Sequence, residues 1–325
     1  MSRPEDPFYR LSSIPHLQVS RDTPLSLHTR FGIGGPARVF AETAVAEAFV
    51  AALAVARSSG MPCEVIGGGT NLIVSDDGFD GIVLRFRADR ILAAGDRVAA
   101  DAGAELQALV DFTIERGLQG LETLTGIPGS VGAAVYGNAG AYGHSIEERI
   151  VKVRFHDGER IRVFENGECR FHYRESVFKD HKDWIIFSTE LRLEPGDAAE
   201  LRRVAGDIRK IRDAKYPPTM KCAGSIFKNL ILSELPPAVA AQVPASVIRE
   251  GKVPSAWFLE QVGAKGETRG GIRVADYHAN LIYNAGGGTA RDLCAVIDDL
   301  KSRVRARFGL QLEEEVQYVG RPSAL

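Results

Sequence analysis

Cysteine is scarce and scattered: only Cys63, Cys169, Cys222 and Cys294 occur in 325 residues, with no C-x-x-C pair, and none of the seven histidines stands in an H-E-x-x-H spacing. The common zinc signatures and a disulfide framework are thereby excluded, and the expectation is no metal and a reducing, cytoplasmic location. The N-terminal MSRPEDPFYR lacks the basic-then-apolar layout of a signal peptide. Long apolar runs are missing too, since the most apolar stretch, 44–56, contains Glu47 and falls short of the roughly 18 residues of a membrane span. Charge of neither sign dominates: 40 Lys and Arg face 42 Asp and Glu, a net of -2. With no global basic field, nucleic acid and membrane are not expected partners, and any anion must be bound locally. Three motifs are absent as well. Without G-x-G-x-x-G, G-x-x-x-x-G-K-[ST] or G-x-S-x-G there is no Rossmann fingerprint, no P-loop and no hydrolase elbow.

What the chain has is an ordinary globular composition, 45% hydrophobic and 25% charged, in a length that suits two domains or three. Residues 43–59 carry apolar groups at helical spacing, with Thr43 as the expected N-cap and Gly60 as the stop. Strands are predicted at Glu64–Ile66, Leu72–Val74 and Ile82–Phe86, with a turn at Asp76–Gly78. A helix over 104–117 precedes a β-rich stretch from 150 to 193, in which Val151, Val153 and Phe155, then Ile161 and Val163, alternate. Helices follow at 200–212, ended by Pro217-Pro218, at SAWFLEQVG, and after Thr289, where Leu293, Val296, Ile297, Leu300 and Val304 form one apolar stripe closed by Gly309. LQLEEEVQYVG reads as a final strand.

Glycine is abundant, and it clusters twice. Gly67-Gly68-Gly69-Thr70-Asn71 lies between two strands and is either a tight turn or a loop whose bare N–H groups face an anion such as a pyrophosphate. Gly126, Gly129, Gly132, Gly137, Gly140 and Gly143 fall within eighteen residues, GIPGSVGAAVYGNAGAYG. Two such loops suggest backbone contacts along a long ligand, for which a dinucleotide is suited. Arg174 in FHYRESVF offers a fork for carboxylate or phosphate. Ser225 in KCAGSIFKNL heads a Ser-x-x-Lys with Lys228, but K-T-G and S-D-N are absent, so a turn residue and an acyl-transfer serine both stay open. Alternation puts Glu313 and Glu315 on one face of the final strand and Glu314 on the face shared with Leu312 and Val316. Spacing does not choose among these acids.

Taken in order, TRFGIGGPA, GGGTNLIVSDDGFDG, GLETLTGIPGSVGAAVYGNAGAYG, YRESVF, AGSIFKN, AWFLEQVGAKG, HANLI and LEEEVQYVG resemble the UDP-N-acetylenolpyruvoylglucosamine reductases (MurB) of bacterial cell-wall synthesis. The resemblance implies an α+β fold. It comprises an FAD-binding domain of the p-cresol methylhydroxylase/vanillyl-alcohol oxidase type in two subdomains, 1–86 and 87–213, and a substrate-binding domain over 214–325 whose last strand carries a catalytic Glu. It further implies non-covalent FAD, NADPH as co-substrate, and conversion of UDP-N-acetylglucosamine enolpyruvate to UDP-N-acetylmuramate. Hydride from the reduced flavin goes to C3 of the enolpyruvyl group and a proton to C2.

By motif position, Ser225 is the implied proton donor, with Arg174 and Glu315 beside the carboxylate whose charge builds up. Gly67, Gly68, Gly69, Thr70, Asn71, Gly126, Gly129, Ser130, Gly132, Asn138, Gly140 and Ala141 would hold the flavin. Lys215, Asn229 and Gln261 would hold the substrate. The interval between Arg174 and Ser225 is too short for the inserted tyrosine-bearing loop of some members, which implies the shorter, second type. Leu230 stands where a proline is common after the FKN asparagine.

Overall fold

Helix Ala46–Ser59 buries Phe49, Ala52, Leu53 and Ala56 along one face and ends where Gly60 turns left-handed at φ 68°. A residue with a Cβ would be strained there, so Gly60 stops the helix as expected. Its start differs from the sequence expectation. Thr43 belongs instead to strand Pro36–Thr43, and its hydroxyl accepts the Val45 N–H at 3.0 Å while Val45 takes the N-cap position. The helix packs on a sheet ordered Gln18–Pro24, Pro36–Thr43, Phe79–Phe86, Cys63–Ile66, the last two running parallel. The computed structural model describes residues 6–320. The chain divides into two units, one of residues up to 23, 37–69 and 80–214, the other of 24–36, 70–79 and 215 onward.

The first unit holds a second sheet, five-stranded and antiparallel throughout, ordered Ile161–Glu165, Ile150–His156, Ile185–Arg192, Arg97–Asp101, Ile91–Ala94. Val153 and Phe155 point into its core, as alternation requires. On the neighbouring strand the inward residue is Phe164, and Ile161 and Val163 are exposed, contrary to the apolar reading of that pair. Helices Leu106–Glu115 and Val131–Tyr136 supply Leu109, Val110, Val131 and Val135 to the same core. A separate core of Leu11, Val39, Phe49, Leu53, Ile82 and Leu84 closes the smaller sheet.

In the second unit Lys221–Ser225, His278–Asn284, Ile272–Ala275 and Thr268–Arg269 form an antiparallel sheet in that order. Helix Ala290–Phe308 opens as expected, with the Thr289 hydroxyl accepting the Asp292 N–H at 3.0 Å, and closes at Gly309. Leu293, Val296, Ile297, Leu300 and Val304 are all buried in one core with Phe227, Phe258 and Leu281. Burying one such side chain is worth about 1.5–3 kcal/mol, so this stripe anchors the helix to the unit.

The final strand is shorter than the sequence suggests. Only Gln317–Val319 is regular, paired in parallel with Leu72–Val74. The three acids precede it, and of them Glu314 alone forms a β-bridge, to Phe227. Glu315 therefore stands before the last strand, not in it.

Candidate functional site

Ser225 ends strand Lys221–Ser225, and that strand is bulged. Cys222 pairs with Tyr283 and Ser225 with Leu281, so Ala223 and Gly224 together oppose Ile282 alone. The extra residue is accommodated at Gly224, φ 77°, where no other residue type fits without strain. A bulge of this kind re-aims the side chain that follows it, and here that side chain is Ser225. Its Oγ lies 3.2 Å from the Tyr216 hydroxyl. Lys228 is buried with its ammonium paired to Glu313, and its carbonyl accepts the Ser255 hydroxyl. The Lys228 ammonium is already taken by Glu313, which counts against the acyl-transfer reading. Cys222 is fully buried in the core.

Directly after Ser225 the backbone meets the acidic segment. The Glu315 N–H donates to the Ile226 carbonyl at 2.7 Å, and the Lys228 N–H to the Glu313 carbonyl at 2.9 Å. Asn280, buried in HANLI, brackets the residue between them: its Oδ1 accepts from the Phe227 N–H at 2.9 Å and its Nδ2 donates to the Phe227 carbonyl at 2.8 Å. The three acids now separate. Glu313 is 70% exposed and holds Lys228. Glu314, only 11% exposed, takes Lys301 at 2.5 Å and the Tyr318 hydroxyl, which makes it a structural group. The Glu315 backbone is fastened on both sides, because its carbonyl also accepts the Asn71 side-chain amide at 2.8 Å. Asn71 thus grips the segment that carries Glu315, and its own carbonyl takes the Gln317 N–H at 2.9 Å.

Arg174 sits in the first unit at the tip of a tight hairpin in which His172 and Glu175 exchange both backbone hydrogen bonds. Its φ of 59° is uncommon for a residue with a side chain and costs on the order of 1 kcal/mol. The fold holds it there. Its guanidinium donates to the Gly140 carbonyl at 2.8 Å and the Asn138 carbonyl at 3.4 Å, and Lys179 donates to its own carbonyl at 2.6 Å. Asn138 is buried and sends its amide to the His172 carbonyl at 2.8 Å. Asn138 and Gly140, singled out with the glycines, therefore fix the arginine. Ala141 pairs with His144 in the adjoining two-residue hairpin.

The two glycine clusters meet within the first unit, since a Cβ built on Gly67 would lie 2.9 Å from the Ser130 hydroxyl. Ser130 caps helix Val131–Tyr136 through the Ala133 N–H at 3.3 Å, while the Val131 and Gly132 N–H groups go to the Ala104 and Ala102 carbonyls. Gly132 is small because Ala102 is close: an added Cβ would come within 2.8 Å of it. Gly126 at φ 78° and Gly129 at φ 117° need their freedom of backbone. Just before Gly126 the hydroxyls of Thr123 and Thr125 are buried with no hydrogen-bond partner among the described residues. Buried orphan hydroxyls beside two converging glycine loops, one with left-handed Gly69, fit a long ligand bound along the backbone, as FAD is. The sequence reading passed over both threonines.

Lys215 and Tyr216 precede the double proline. The Lys215 carbonyl accepts the Tyr277 hydroxyl at 3.0 Å and its ammonium lies 5.0 Å from the Tyr216 ring centre. Burial, and then the Lys215 charge, push His278 down to about 4, and its ring centre is 6.3 Å from that of Tyr216. Asn229 accepts the Ser255 N–H at 3.4 Å, and Gln261 ends helix Ser255–Gln261 with its carbonyl taken by Arg307.

The FAD binding domain model matches residues 37–162, and the model of the C-terminal domain of UDP-N-acetylenolpyruvoylglucosamine reductase matches 216–319. The reductase of Solibacter usitatus is 68% identical over 311 residues, 96% of this chain and 100% of its own. That of Rubrobacter xylanophilus is 37% identical over 93% of this chain and 95% of its own. The crystal structure of the MurB reductase of Thermus caldophilus superposes with a TM-score of 0.72 at 26% identity, covering 93% of this chain and 99% of that one. Both domain models in order, near-complete coverage and the shared fold agree: the chain belongs to the UDP-N-acetylenolpyruvoylglucosamine reductase family.

Proposed function

We propose that Ser225, Arg174 and Glu315 are the catalytic groups with which this chain, an FAD- and NADPH-dependent reductase, converts UDP-N-acetylglucosamine enolpyruvate to UDP-N-acetylmuramate. When bound, FAD reduced by NADPH supplies the hydride that adds at C3. The chain's own groups handle the charge and the proton. Addition to an enol ether conjugated with a carboxylate drives negative charge onto that carboxylate, so pre-aimed donors contribute several kcal/mol, on the order of 3 for one. Arg174, its guanidinium held by the Gly140 and Asn138 carbonyls, is the fixed cation for it. Glu315 flanks the same carboxylate. Ser225 gives its hydroxyl proton to C2, and an aliphatic hydroxyl suffices against so basic a carbon if it is well placed.

The observation that carries this reading is the bulge. It aims Ser225 from a strand end whose next residue, Ile226, is hydrogen-bonded to Glu315, so donor and acid are set by one stretch of backbone. Residues 1–86 and 87–213, apart from segments 24–36 and 70–79, which fold with the second unit, serve as the flavin-binding subdomains, with Gly67, Gly68, Gly69, Gly126, Gly129, Ser130, Gly132 and Ala141 along the cofactor and Thr70 next to them in sequence. Residues 214–325 serve as the substrate domain, where Lys215, Asn229 and Gln261 bind the nucleotide sugar. No helix among the described residues is long and apolar enough to cross a membrane. We place the reaction in the cytoplasm, on a small molecule and without nucleic acid.

Separate half-reactions test the roles. In Ser225→Ala, flavin reduction by NADPH stays close to the unaltered rate, while reoxidation by the enolpyruvyl substrate slows by orders of magnitude. Equal slowing of both half-reactions refutes the proton-donor role.

A further inference from the structure

Ser225 as proton donor has two needs that its own hydroxyl does not meet. It carries one hydrogen, which must be aimed at the substrate and not at a neighbour, and once that hydrogen is gone it must be replaced. The residue beside it is Tyr216, with hydroxyl and Ser225 Oγ 3.2 Å apart and both side chains half-buried. We infer that Tyr216 is a positioning residue for Ser225, donating its hydroxyl to Ser225 Oγ so that the serine hydrogen points away, and then passing its proton to the serine oxygen as that oxygen loses its own. This inference rests on the reading of Ser225 as the donor to C2.

The protons balance. The Ser225 O–H bond breaks as the C2–H bond forms. The Tyr216 O–H bond breaks as a new Ser225 O–H bond forms, and the phenolate left behind regains a proton from solvent through its exposed side. A phenol is a far stronger acid than an aliphatic alcohol, so the second transfer runs downhill. The Lys215 ammonium, 5.0 Å from the Tyr216 ring centre, favours the transient phenolate. His278 also packs against the ring, and Tyr277 is a further titratable group near it. The His278 Nδ1 accepts the Asn280 N–H at 3.2 Å, which leaves its single proton on Nε2. The neutral imidazole ring therefore neither assists nor opposes the phenolate electrostatically.

Tyr216→Phe keeps the ring and removes only the hydroxyl. A charge-assisted hydrogen bond to the developing alkoxide is lost, so reoxidation of reduced flavin by the enolpyruvyl substrate slows about 10- to 100-fold, with flavin reduction by NADPH within about twofold. Because Tyr216 acts through Ser225, the double variant Tyr216→Phe/Ser225→Ala is no slower than Ser225→Ala alone. In the unaltered holoenzyme, the reoxidation rate plotted against deuterium fraction bows, and in Tyr216→Phe it bows less, because one fewer exchangeable hydrogen moves; the hydrogen carried by the reduced flavin exchanges with solvent in both. A Tyr216→Phe rate equal to the unaltered one, independent losses that multiply in the double variant, or a straight plot for the unaltered enzyme would each overturn the inference while the Ser225 reading stands. A Ser225→Ala enzyme as fast as the unaltered one in reoxidation sinks the reading itself, and the inference with it.

Discussion

Gly224 and Gly309 provide a matched pair of substitutions that separates stability from catalysis. Both have left-handed φ, 77° and 69°, and a Cβ added to either would meet nothing within 4 Å. Alanine at each therefore introduces backbone strain without a clash, on the order of 1–2 kcal/mol. Part of this is offset by the smaller freedom of the unfolded chain, roughly 0.4–1 kcal/mol, for a net loss near 1 kcal/mol. Against a total stability of about 5–15 kcal/mol both variants fold, and both melt lower by about 2–4 °C. Their positions set their consequences. Gly309 caps helix Ala290–Phe308, and relaxation there frays a helix end. Gly224 forms the bulge that aims Ser225, and relief of strain there moves the serine. A misplacement of about 1 Å costs on the order of a hundredfold in rate. Stopped-flow absorbance of the flavin should show Gly309→Ala unchanged in both half-reactions, and Gly224→Ala slowed 10- to 100-fold only in reoxidation by substrate. If Gly224→Ala and Gly309→Ala match in melting temperature and also in reoxidation rate, the bulge does not position Ser225.

Three further outcomes follow from the site. Gly67→Ala drives a methyl against Ser130 and should weaken FAD binding about tenfold in a fluorescence titration, whereas Gly206→Ala, which meets nothing within 4 Å, should not change it. Lys301→Ala leaves the largely buried Glu314 carboxylate with the Tyr318 hydroxyl and costs about 2–3 kcal/mol in urea denaturation; adding Glu314→Gln should restore most of it, and no restoration would count against the pair. His278 titrates near 4 in the folded protein against an ordinary 6.5, so the unfolded chain takes up its proton first and stability falls as pH drops between those values. At pH 5 this amounts to about 2 kcal/mol at most, less for partial exposure, and His278→Gln with an unchanged pH dependence of stability would disprove it.

The residues legible in advance were those whose constraint is local. Thr289 and Gly309 bound their helix because capping involves only neighbouring residues, and the stripe from Leu293 to Val304 needs only the helical period. Alternation also put Glu314 on the face it shares with the buried Leu312 and Val316, although no regular strand runs through the acids. Arg174 was legible as a residue type, but its left-handed backbone and its grip by Asn138 and Gly140 depend on contacts over more than thirty residues. The same holds for Asn71 and Glu315, 244 positions apart. Tyr216 left no signal of its own, because a tyrosine before a double proline looks like a packing residue until Ser225 is found at its hydroxyl.

Segments 24–36 and 70–79 belong to the second unit, although they are threaded through the sequence of the first. The region from 215 onward is therefore not a detachable module. Expressed alone it would lack Phe31, Ile33 and Ile73 from its core, and strand Gln317–Val319, which leads directly out of Glu315, would be an open edge without its partner Leu72–Val74. A gene fusion that cuts at the apparent junction would inherit an unfinished body. Exchange of this half between relatives would have to carry two short segments from the other half along with it.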